Sequence, residues 1–242
     1  MKILVVGNGA REHAMVWAAA RNAEGKSPRG SGARRTECAN CSEVYCAPGN
    51  AGTAALGRNL PLDPLEPPSV VSACRELGLD LVIVGPEQPL AAGLVDALQA
   101  AGIPAFGPTR KASSLESSKS FGRAFAQSYG IPCAATAIFS PGRGEAAFLR
   151  YLDENRGKCI VLKKSGLAAG KGVVESDDQA ELRSFGEAVL GSDELLAEEF
   201  LKGQELSVFA LCTEKGYRIL EPCADHKKAQ VGDRGPNTGG MG

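Results

Sequence analysis

Residues 2–13 read KILVVGNGAREH, an apolar run followed by a glycine turn and the start of a helical pattern. The apolar residues after Lys2 indicate a strand that is buried on both faces. Gly7 and Gly9 then suit a tight turn, and Arg11 to Arg21 has the pattern of a helix. A buried strand, a glycine turn and a helix in this order are typical of the first unit of an α/β domain.

The same alternation continues along the chain. Leu79 to Val84 predicts a second buried strand, and Leu90 to Ala101 predicts a helix. Further strands are predicted at Cys159 to Leu162 and at Leu206 to Leu211, and Tyr217 to Leu220 is expected to pair with the latter as a hairpin. The pattern predicts an α/β fold with a mainly parallel sheet, at least in about the first hundred residues.

Two stretches interrupt this alternation. Glu24 to Ser42 is rich in Gly, Ser, Arg and Cys and has no apolar periodicity, so we predict a flexible insertion at 24–42. Asn59 to Ser69 holds four prolines and is predicted to be a loop. A domain boundary is expected at Gly107, after the strand-like residues 103–106, and a further transition at Pro132, which blocks helix continuation.

The composition excludes several classes of protein. Lys and Arg total 27 against 28 Asp and Glu, which leaves no basic excess to attract nucleic acid or anionic lipid. No apolar run approaches the length of a membrane span, and the one at the N-terminus is too short for a signal peptide. We therefore expect a cytoplasmic protein whose eight cysteines are reduced. Cys38, Cys41 and Cys46 cluster, but zinc takes four ligands and neither histidine is nearby, which disfavours a zinc site.

The turn at Gly7 and Gly9 is the first candidate for ligand binding. Backbone N–H groups at such a helix start attract phosphate. A dinucleotide fingerprint would need a third glycine at position 12, where this chain has Glu12. The turn thus favours a phosphate-bearing ligand over a nicotinamide or flavin, and a plain tight turn is an equal alternative.

Two further loops have similar character, PGNAGT at residues 48–53 and Gly85-Pro86-Glu87. The second directly follows a buried strand, so it lies at the carboxyl edge of the sheet, where α/β proteins bind ligands. Glu87 there can accept hydrogen bonds from hydroxyl groups or an amine. Taken alone, each motif is better explained as a turn and a solvated acid.

Residues 166–172, GLAAGKG, are the most informative stretch. They do not form a Walker A loop, because only three residues separate Gly166 from Gly170 and Gly172 stands where Ser or Thr should hold magnesium. A loop of small residues with one lysine, placed just after Lys163, suits a mobile flap over a triphosphate. A flexible β-turn is the alternative.

Three polar segments follow: EEFL at residues 198–201 with Glu205 close behind, DHKK at 225–228, and GPNTGGMG at 235–242. Taken alone, the first is a helix end or a solvated charge run. The other two show no pattern that would form a core.

Together and in this order, the motifs resemble the phosphoribosylamine–glycine ligases, a family of ATP-grasp enzymes. The matching segments are 7–13, 48–53, 85–90, 115–121 (LESSKSF), 165–173, 198–201, 225–227 and 235–242. Any one segment is shared with other ATP-grasp ligases, whereas the combination of the first loop, PGNAGT and GPNTGGMG is specific. The resemblance covers the chain except 24–42 and short divergent stretches.

The resemblance implies a Rossmann-like N-terminal domain over residues 1–107 and an incomplete ATP-grasp domain over 108–242, with a lid subdomain at about 134–196. In the family, two lysines contact the phosphates of ATP, a glycine lid covers them, the EEFL segment holds adenine and a later Glu holds ribose. The implied ATP site comprises Lys119, Lys163, Gly166, Gly170, Lys171, Gly172, Glu198, Glu199, Phe200, Leu201 and Glu205. Phosphoribosylamine would lie against Gly9, Arg11, Gly49, Asn50 and Glu87, and the reacting centre would be lined by Asp225, Lys227 and Asn237.

The implied reaction joins glycine to 5-phosphoribosylamine through glycyl phosphate, and it gives glycinamide ribonucleotide, ADP and phosphate in purine (IMP) biosynthesis. ATP and Mg²⁺ or Mn²⁺ are the implied cofactors. The family's metal ligands, a Glu and an Asn on a later strand, fall beyond Gly242, so no metal ligand is predicted in this chain. The expected partners are small-molecule substrates, with fusion to other purine-pathway domains possible in a longer protein.

The sequence departs from the family in three places. The family lacks residues 24–42. Leu190 to Leu196 is short and lacks the Phe-Gly turn expected before EEFL, so part of the lid subdomain is expected to be absent. The chain also ends at Gly242, so we expect that it cannot catalyse the ligation by itself. The alternatives are a non-catalytic ATP- or phosphoribosyl-binding fragment and a nicotinamide-dependent oxidoreductase, and Glu12 counts against the latter.

Overall fold

A computed structural model describes residues 1–23, 43–168, 172–232 and 234–241. They form two compact units, Met1–Ser118 and Lys119–Gly242. The predicted insertion at 24–42 lies outside the described residues, and the domain boundary at residue 107 and the lid at 134–196 stay predictions. No helix in the described part of the chain has the length and apolar character that crossing a bilayer requires.

The first unit alternates strands and helices. Its elements are β1 (Lys2–Gly7), α1 (Ala10–Ala23), β2 (Glu43–Pro48), α2 (Ala51–Ala54), β3 (Arg58–Asn59), α3 (Pro67–Leu77), β4 (Leu81–Val84), α4 (Glu87–Ala92), α5 (Leu94–Ala100), β5 (Ala105–Phe106) and α6 (Arg110–Ser117). The strands form one sheet in the order β3-β2-β1-β4-β5, and every pair in it is parallel. The predicted α/β fold with a parallel sheet is confirmed.

Strand β1 is the centre of this sheet and is buried on both faces. Ile3 and Val5 pack with Val16 of α1 on one face, and Leu4 and Val6 belong to a larger core cluster on the other. Helices on both faces are what a parallel sheet requires, which explains the unbroken apolar run. Because β2 and β4 flank β1 in parallel, the carboxyl ends of all three strands meet at one edge.

Two predictions about this unit are wrong in detail. The helix predicted at Leu90 to Ala101 is two helices, α4 and α5, since Gly93 between them has a φ of +89° and ends the first. The loop predicted at Asn59 to Ser69 contains the end of β3 and the start of α3. Proline is tolerated in the first turn of a helix, where its missing N–H would have no partner, so Pro67 begins α3 instead of excluding it.

The second unit begins with α7 (Lys119–Ser128). It continues with β6 (Thr136–Phe139), α8 (Glu145–Glu154), β7 (Ile160–Lys164), β8 (Val173–Ser176), α9 (Gln179–Leu190), β9 (Leu195–Glu199), β10 (Leu206–Ser207), β11 (Ala210–Thr213), β12 (Gly216–Ile219), β13 (Cys223–Ala224), β14 (His226–Gln230) and β15 (Arg234–Met241). Four strands form an antiparallel sheet in the order β6-β9-β7-β8.

Helices α8 and α9 supply the core on one face of this antiparallel sheet. Phe148 and Leu182 are fully buried there with Leu162 and Leu195 of the strands. Gly186 of α9 lets the helix approach closely, because a Cβ at this position would lie 2.2 Å from the ring of Phe148. The opposite sheet face carries Lys163 and Glu198 together with the buried Leu196.

The remaining strands pair as three separate ladders, β10 with β13, β11 with β12, and β14 with β15. The strand predicted at Leu206 to Leu211 is therefore wrong as one piece, because its two ends pair with different partners. The predicted hairpin with Tyr217 to Leu220 is confirmed for its second half, where Leu211 pairs with Arg218.

Candidate active site

The three glycine loops of the first unit follow β1, β2 and β4 and lie together at the carboxyl edge of the sheet. The backbone N–H of Gly49 donates to Gly7 O at 3.1 Å. The Asn50 side-chain Nδ2 donates to Asn8 O at 2.9 Å. The structure thus joins the GNG and PGNAGT motifs directly through hydrogen bonds.

A buried polar network fixes the second loop. Asn50 caps α2 by accepting from the N–H groups of Gly52 and Thr53, at 2.8 and 3.0 Å. The hydroxyl of Thr53, which is fully buried, donates to Asn59 Oδ1 at 2.8 Å, and Asn59 Nδ2 donates back to Asn50 O at 2.8 Å. Gly49 has a φ of +73° and lies against Asn59, so a side chain there would be strained and crowded.

Glu12 lies between the first and third loops, a position that the sequence analysis did not assign. Its side chain is buried, and Oε2 accepts the N–H of Gly9 at 2.8 Å. A Cβ on Gly7, Gly9 or Gly85 would lie 2.4, 2.8 or 2.4 Å from the Glu12 side chain. A Glu at the third position of a helix that bonds the N-cap N–H is half of a capping box, which is the pattern that would have predicted it.

The side chains of Arg11 and Glu87 face solvent at this edge. Arg11 Nη2 lies 3.4 Å from Glu87 Oε1, with the two side chains 72% and 41% exposed. An exposed pair at this distance is weak, so both groups remain available to a ligand. Gly9, Arg11, Gly49, Asn50 and Glu87 thus lie at one edge of the sheet, and their contact with phosphoribosylamine stays a prediction.

Cys46 of β2 contacts the end of β1, where the first loop begins. Its thiol is buried beside β1 and donates to Gly7 O at 3.4 Å, and burial raises its pKa. Cys38 and Cys41 lie outside the described residues. Among the residues that the structure does describe, no three His, Cys, Asp or Glu side chains are grouped as a metal site.

In the second unit, Lys163 and Glu198 form an ion pair on the sheet face opposite the core. Lys163 Nζ lies 2.6 Å from Glu198 Oε2. The other carboxylate oxygen, Oε1, accepts Arg123 Nε at 2.5 Å. The Glu198 side chain is only 3% exposed, whereas those of Arg123 and Lys163 are 28% and 26% exposed.

The pKa of Glu198 reflects this pairing. Burial by itself would raise the pKa, but hydrogen bonds from Arg123 and Lys163 outweigh it, and the pKa lies below the ordinary value. The bond to Glu198 in turn raises the pKa of Arg123. The sequence analysis assigned adenine binding to the EEFL segment, and the structure places its first carboxylate beside the phosphate-binding lysine candidate instead of in solvent.

Lys119 lies at the start of α7, against the glycine segment. Its N–H donates to Ser165 O at 3.1 Å, and its Nζ donates to the carbonyls of Ser165 and Gly166 at 3.4 and 3.2 Å. Ser120 Oγ also lies 3.0 Å from Ser165 Oγ, which fastens the helix start to the end of β7. Lys119 and Lys163 therefore both lie near the loop end of the β7–β8 pair, next to the glycine segment.

The described ends of the glycine segment, 166–168 and Gly172, adjoin β7 and β8. Lys164 N–H donates to Gly172 O at 2.8 Å, and Gly166 N–H donates to Asp193 Oδ2 at 3.2 Å. A Cβ on Gly172 would lie 2.5 Å from that of Ala168, so the two arms are in close contact. Gly170 and Lys171 fall within 169–171, outside the described residues, and their contact with phosphate stays a prediction.

The rest of EEFL lies at the end of β9. Glu199 Oε1 accepts the N–H of Ala135 at 2.9 Å. Phe200 and Leu201 come after the strand and are 37% and 65% exposed. Their backbone groups follow a strand end, which is where main-chain recognition of a base is possible.

Of the candidates for the reacting centre, Asp225 lies between β13 and β14, Lys227 lies on β14, and Asn237 lies on β15. Lys227 pairs with the carboxylate of Glu205, the predicted ribose ligand, and lies 4.0 Å from Asp225. The N–H of Asp225 donates to Glu205 O at 3.1 Å. Asn237 lies on β15 opposite residue 228 of β14, and its side chain is outside the described part of the structure.

Family models match both halves of the chain. The model of the phosphoribosylglycinamide synthetase N domain matches residues 31–116, and that of its ATP-grasp (A) domain matches residues 117–242.

Individual relatives agree with this assignment. A phosphoribosylamine–glycine ligase of Chlorobaculum tepidum is 41% identical over 255 residues, which covers all of this chain and 55% of the relative. The trifunctional purine biosynthetic protein adenosine-3 of Gallus gallus is 39% identical, and this chain covers 23% of it. The chain spans about half the length of the curated phosphoribosylamine–glycine ligases it matches.

Solved structures show the same relationship. The crystal structure of phosphoribosylamine–glycine ligase from Thermotoga maritima has a TM-score of 0.75 and 30% identity, and the match covers all of this chain and 54% of that one. An N5-carboxyaminoimidazole ribonucleotide synthetase from Thermus thermophilus, at 18% identity and a TM-score of 0.65 over 96% of this chain and 55% of that one, shares the fold alone. This chain belongs to the phosphoribosylamine–glycine ligase family, and residues 117–242 are part of its ATP-grasp domain.

Proposed function

We propose that this chain carries the phosphoribosylamine-binding domain and part of the ATP-binding domain of an enzyme that ligates glycine to 5-phosphoribosylamine in purine biosynthesis. The observation that carries the proposal is the position of two lysines next to the glycine segment between β7 and β8, within the part of the chain that matches an ATP-grasp domain.

The two lysines fit a triphosphate. Lys119 Nζ is bonded to two neutral carbonyl oxygens, which a phosphate oxygen can replace as a stronger acceptor. Lys163 is partly exposed and is paired with a carboxylate that a second cation also neutralises. Gly166 and Gly172 would allow close approach of backbone amides to phosphate, and the exposed Phe200 and Leu201 would bind adenine through their main chain.

The loop edge of the first unit fits the phosphoribosylamine. Arg11 offers an exposed cation to the phosphate, and Glu87 offers an acceptor to the ribose hydroxyls or the amine. Gly9, Gly49 and Asn50 would lie next to the bound ligand. Hydrogen bonds to the first loop hold Gly49 and Asn50 in place.

In the proposed reaction, glycine's carboxylate takes the γ-phosphoryl group of ATP, and the amine of phosphoribosylamine then displaces phosphate from glycyl phosphate. Lysines that neutralise phosphate charge and a loop that excludes water serve these two needs. Asp225, Lys227 and Asn237 are the residues proposed to line the reacting centre. Among the described residues, no three His, Cys, Asp or Glu side chains are grouped as a metal site, and no step is assigned to Mg²⁺ or Mn²⁺.

The proposal includes a cytoplasmic location and small-molecule partners. Six cysteines of the described residues are free thiols, in keeping with a reducing compartment. Fusion to other purine-pathway domains in a longer protein is supported by the trifunctional relative from Gallus gallus.

Binding of two ligands, ATP and ribose 5-phosphate, to the 242-residue chain tests the proposal, with NAD as the negative control. Calorimetry should show binding of ATP and of ribose 5-phosphate, a stable analogue that keeps the phosphate and hydroxyls of the substrate, and no binding of NAD. Each true ligand should also raise the melting temperature, because ligands that bind only the folded state stabilise it. Binding of NAD with no response to ATP would overturn the assignment in favour of the oxidoreductase, which family membership does not favour.

A further inference from the structure

Arg123 of α7 forms a second ion pair with Glu198, in addition to that of Lys163. None of the sequence motifs includes Arg123. Its Nε lies 2.5 Å from Oε1 of Glu198, while Lys163 Nζ lies 2.6 Å from Oε2. Each cation thus pairs with a different oxygen of the same buried carboxylate. Two cations against one carboxylate leave the cluster with one excess positive charge.

The two cations reach Glu198 from different elements. Glu198 of β9 stands opposite Val161 of β7, and Lys163 is two residues further along β7 on the same face. Lys163 is therefore a diagonal neighbour of Glu198 within the sheet. Arg123 comes from a helix, so its bond to Glu198 does not depend on the position of the Lys163 side chain.

This arrangement bears on how Lys163 can bind an anion. A buried carboxylate that loses its single cation is strongly unfavourable, because the uncompensated charge stays out of water. If Lys163 were the only partner of Glu198, every contact of its ammonium with a phosphate would have to overcome that cost. With Arg123 in place, Glu198 stays neutralised, and the ammonium can turn to a new acceptor.

We propose that Arg123 is a positioning residue for ATP: it keeps the buried Glu198 neutralised so that Lys163 can donate to a phosphate. The inference rests on the proposed function, since it presupposes that ATP binds beside Lys163. Arg123 itself does not touch the nucleotide and acts through Glu198.

A double-mutant cycle on the whole chain tests this role, with ATP and adenosine as calorimetric probes. Arg123→Gln should weaken ATP binding by about fivefold or more, the size of couplings within one ion-pair network. Arg123→Lys should restore most of the affinity. In a Lys163→Met background, Arg123→Gln should have no further effect on ATP affinity, and adenosine, which lacks phosphates, should bind wild type and Arg123→Gln alike.

The matched control is Arg183→Gln. Arg183 pairs with Glu187 on the exposed face of α9, so the same substitution there should leave ATP affinity unchanged. If Arg123→Gln does not fold, Arg123→Gln combined with Glu198→Gln removes the buried charge as well and should match the Glu198→Gln single variant in ATP affinity.

Three results would overturn the inference. The first is that Arg123→Gln lowers ATP affinity equally in the presence and absence of Lys163. The second is that it lowers the affinities for adenosine and ATP equally. The third is that it still lowers ATP affinity in the Glu198→Gln background. If wild type binds no ATP, the proposed function fails and this inference falls with it. If wild type binds ATP but the cycle is additive, only the role of Arg123 is wrong.

Discussion

A Cβ on Gly85 would lie 2.4 Å from Oε1 of Glu12, because the carboxylate of this buried residue fills the space under the third glycine loop. The same carboxylate accepts the N–H of Gly9. One side chain thus packs against two loops whose preceding strands end at Gly7 and Val84, 77 positions apart in sequence. Gly7, Gly9 and Gly85 are therefore required by the acid beneath them, independently of any ligand.

Replacing Gly85 tests this relationship. Gly85→Ala should destabilise the protein by about 1–3 kcal/mol, the usual cost of overpacking a filled site, as measured by thermal or urea unfolding. In a Glu12→Ala background the substitution should cost much less, because the obstructing carboxylate is gone. Gly203→Ala is the control, since a Cβ at that position meets open space. Equal effects of Gly85→Ala in both backgrounds would show that Glu12 is not the obstacle.

Replacing Asn50 tests the second loop. Asn50→Ala removes the cap of α2 and the bond to Asn8 O, so we expect a loss of about 0.5–2 kcal/mol in stability. It should also weaken binding of ribose 5-phosphate in calorimetry. Asn8→Ala is the matched control, because the Asn50 bond uses the backbone carbonyl of residue 8 and survives the change. Equal ribose 5-phosphate affinity in wild type and Asn50→Ala would remove Asn50 from the proposed site.

Replacing Lys163 tests the ATP site. Lys163→Ala should weaken ATP binding by about 1.5–3 kcal/mol, the range for a charge-assisted hydrogen bond, as measured by calorimetry. Arg123 still neutralises Glu198 in this variant, so the fold should be kept. Lys158→Ala, which removes an exposed lysine bonded to Asn155, is the control. Unchanged ATP affinity in Lys163→Ala would refute phosphate binding by this residue.

The depressed pKa of Glu198 predicts a pH dependence of stability. Its folded-state pKa lies below the ordinary 4.5, so ionised Glu198 contributes stability above pH 4.5 that is lost as the pH falls through the folded-state pKa. Wild type should therefore exceed Glu198→Gln in stability most clearly near neutral pH, and the difference should shrink below about pH 4.5. Urea unfolding at several pH values measures it, with the exposed Glu154→Gln as the reference substitution. A difference that stays constant through this range would contradict the pairing.

The order of elements around β1 could be predicted from the sequence because it is a local property. The apolar run after Lys2, the turn at Gly7 and the helix that follows each leave their own pattern within a few residues. The buried strand at Leu79 to Val84 then places the loop at 85–87 at the carboxyl edge of the sheet without further information. The other candidate site residues, including Lys119 and Lys163, were predicted from the family motifs.

Local patterns failed where a neighbouring element settled the outcome. Pro67 starts a helix and does not prolong a loop, since α3 packs its Val70 and Cys74 into the sheet core. Strand β2 was not predicted, because its short apolar run at Val44–Ala47 lies between two loop-like segments. It becomes a strand through its parallel pairing with β1.

The partners of the site's charges were decided by the tertiary structure alone. Glu198 reads as a solvated acid in sequence, yet it is buried between Arg123 and Lys163, which lie 75 and 35 positions earlier in the chain. Glu12 lies in a helical pattern in the sequence, yet its side chain is buried against Gly7, Gly9 and Gly85. Sequence periodicity records which residues alternate between a core and solvent. Strand register and helix packing determine which charges meet, because they bring distant residues to within hydrogen-bonding distance.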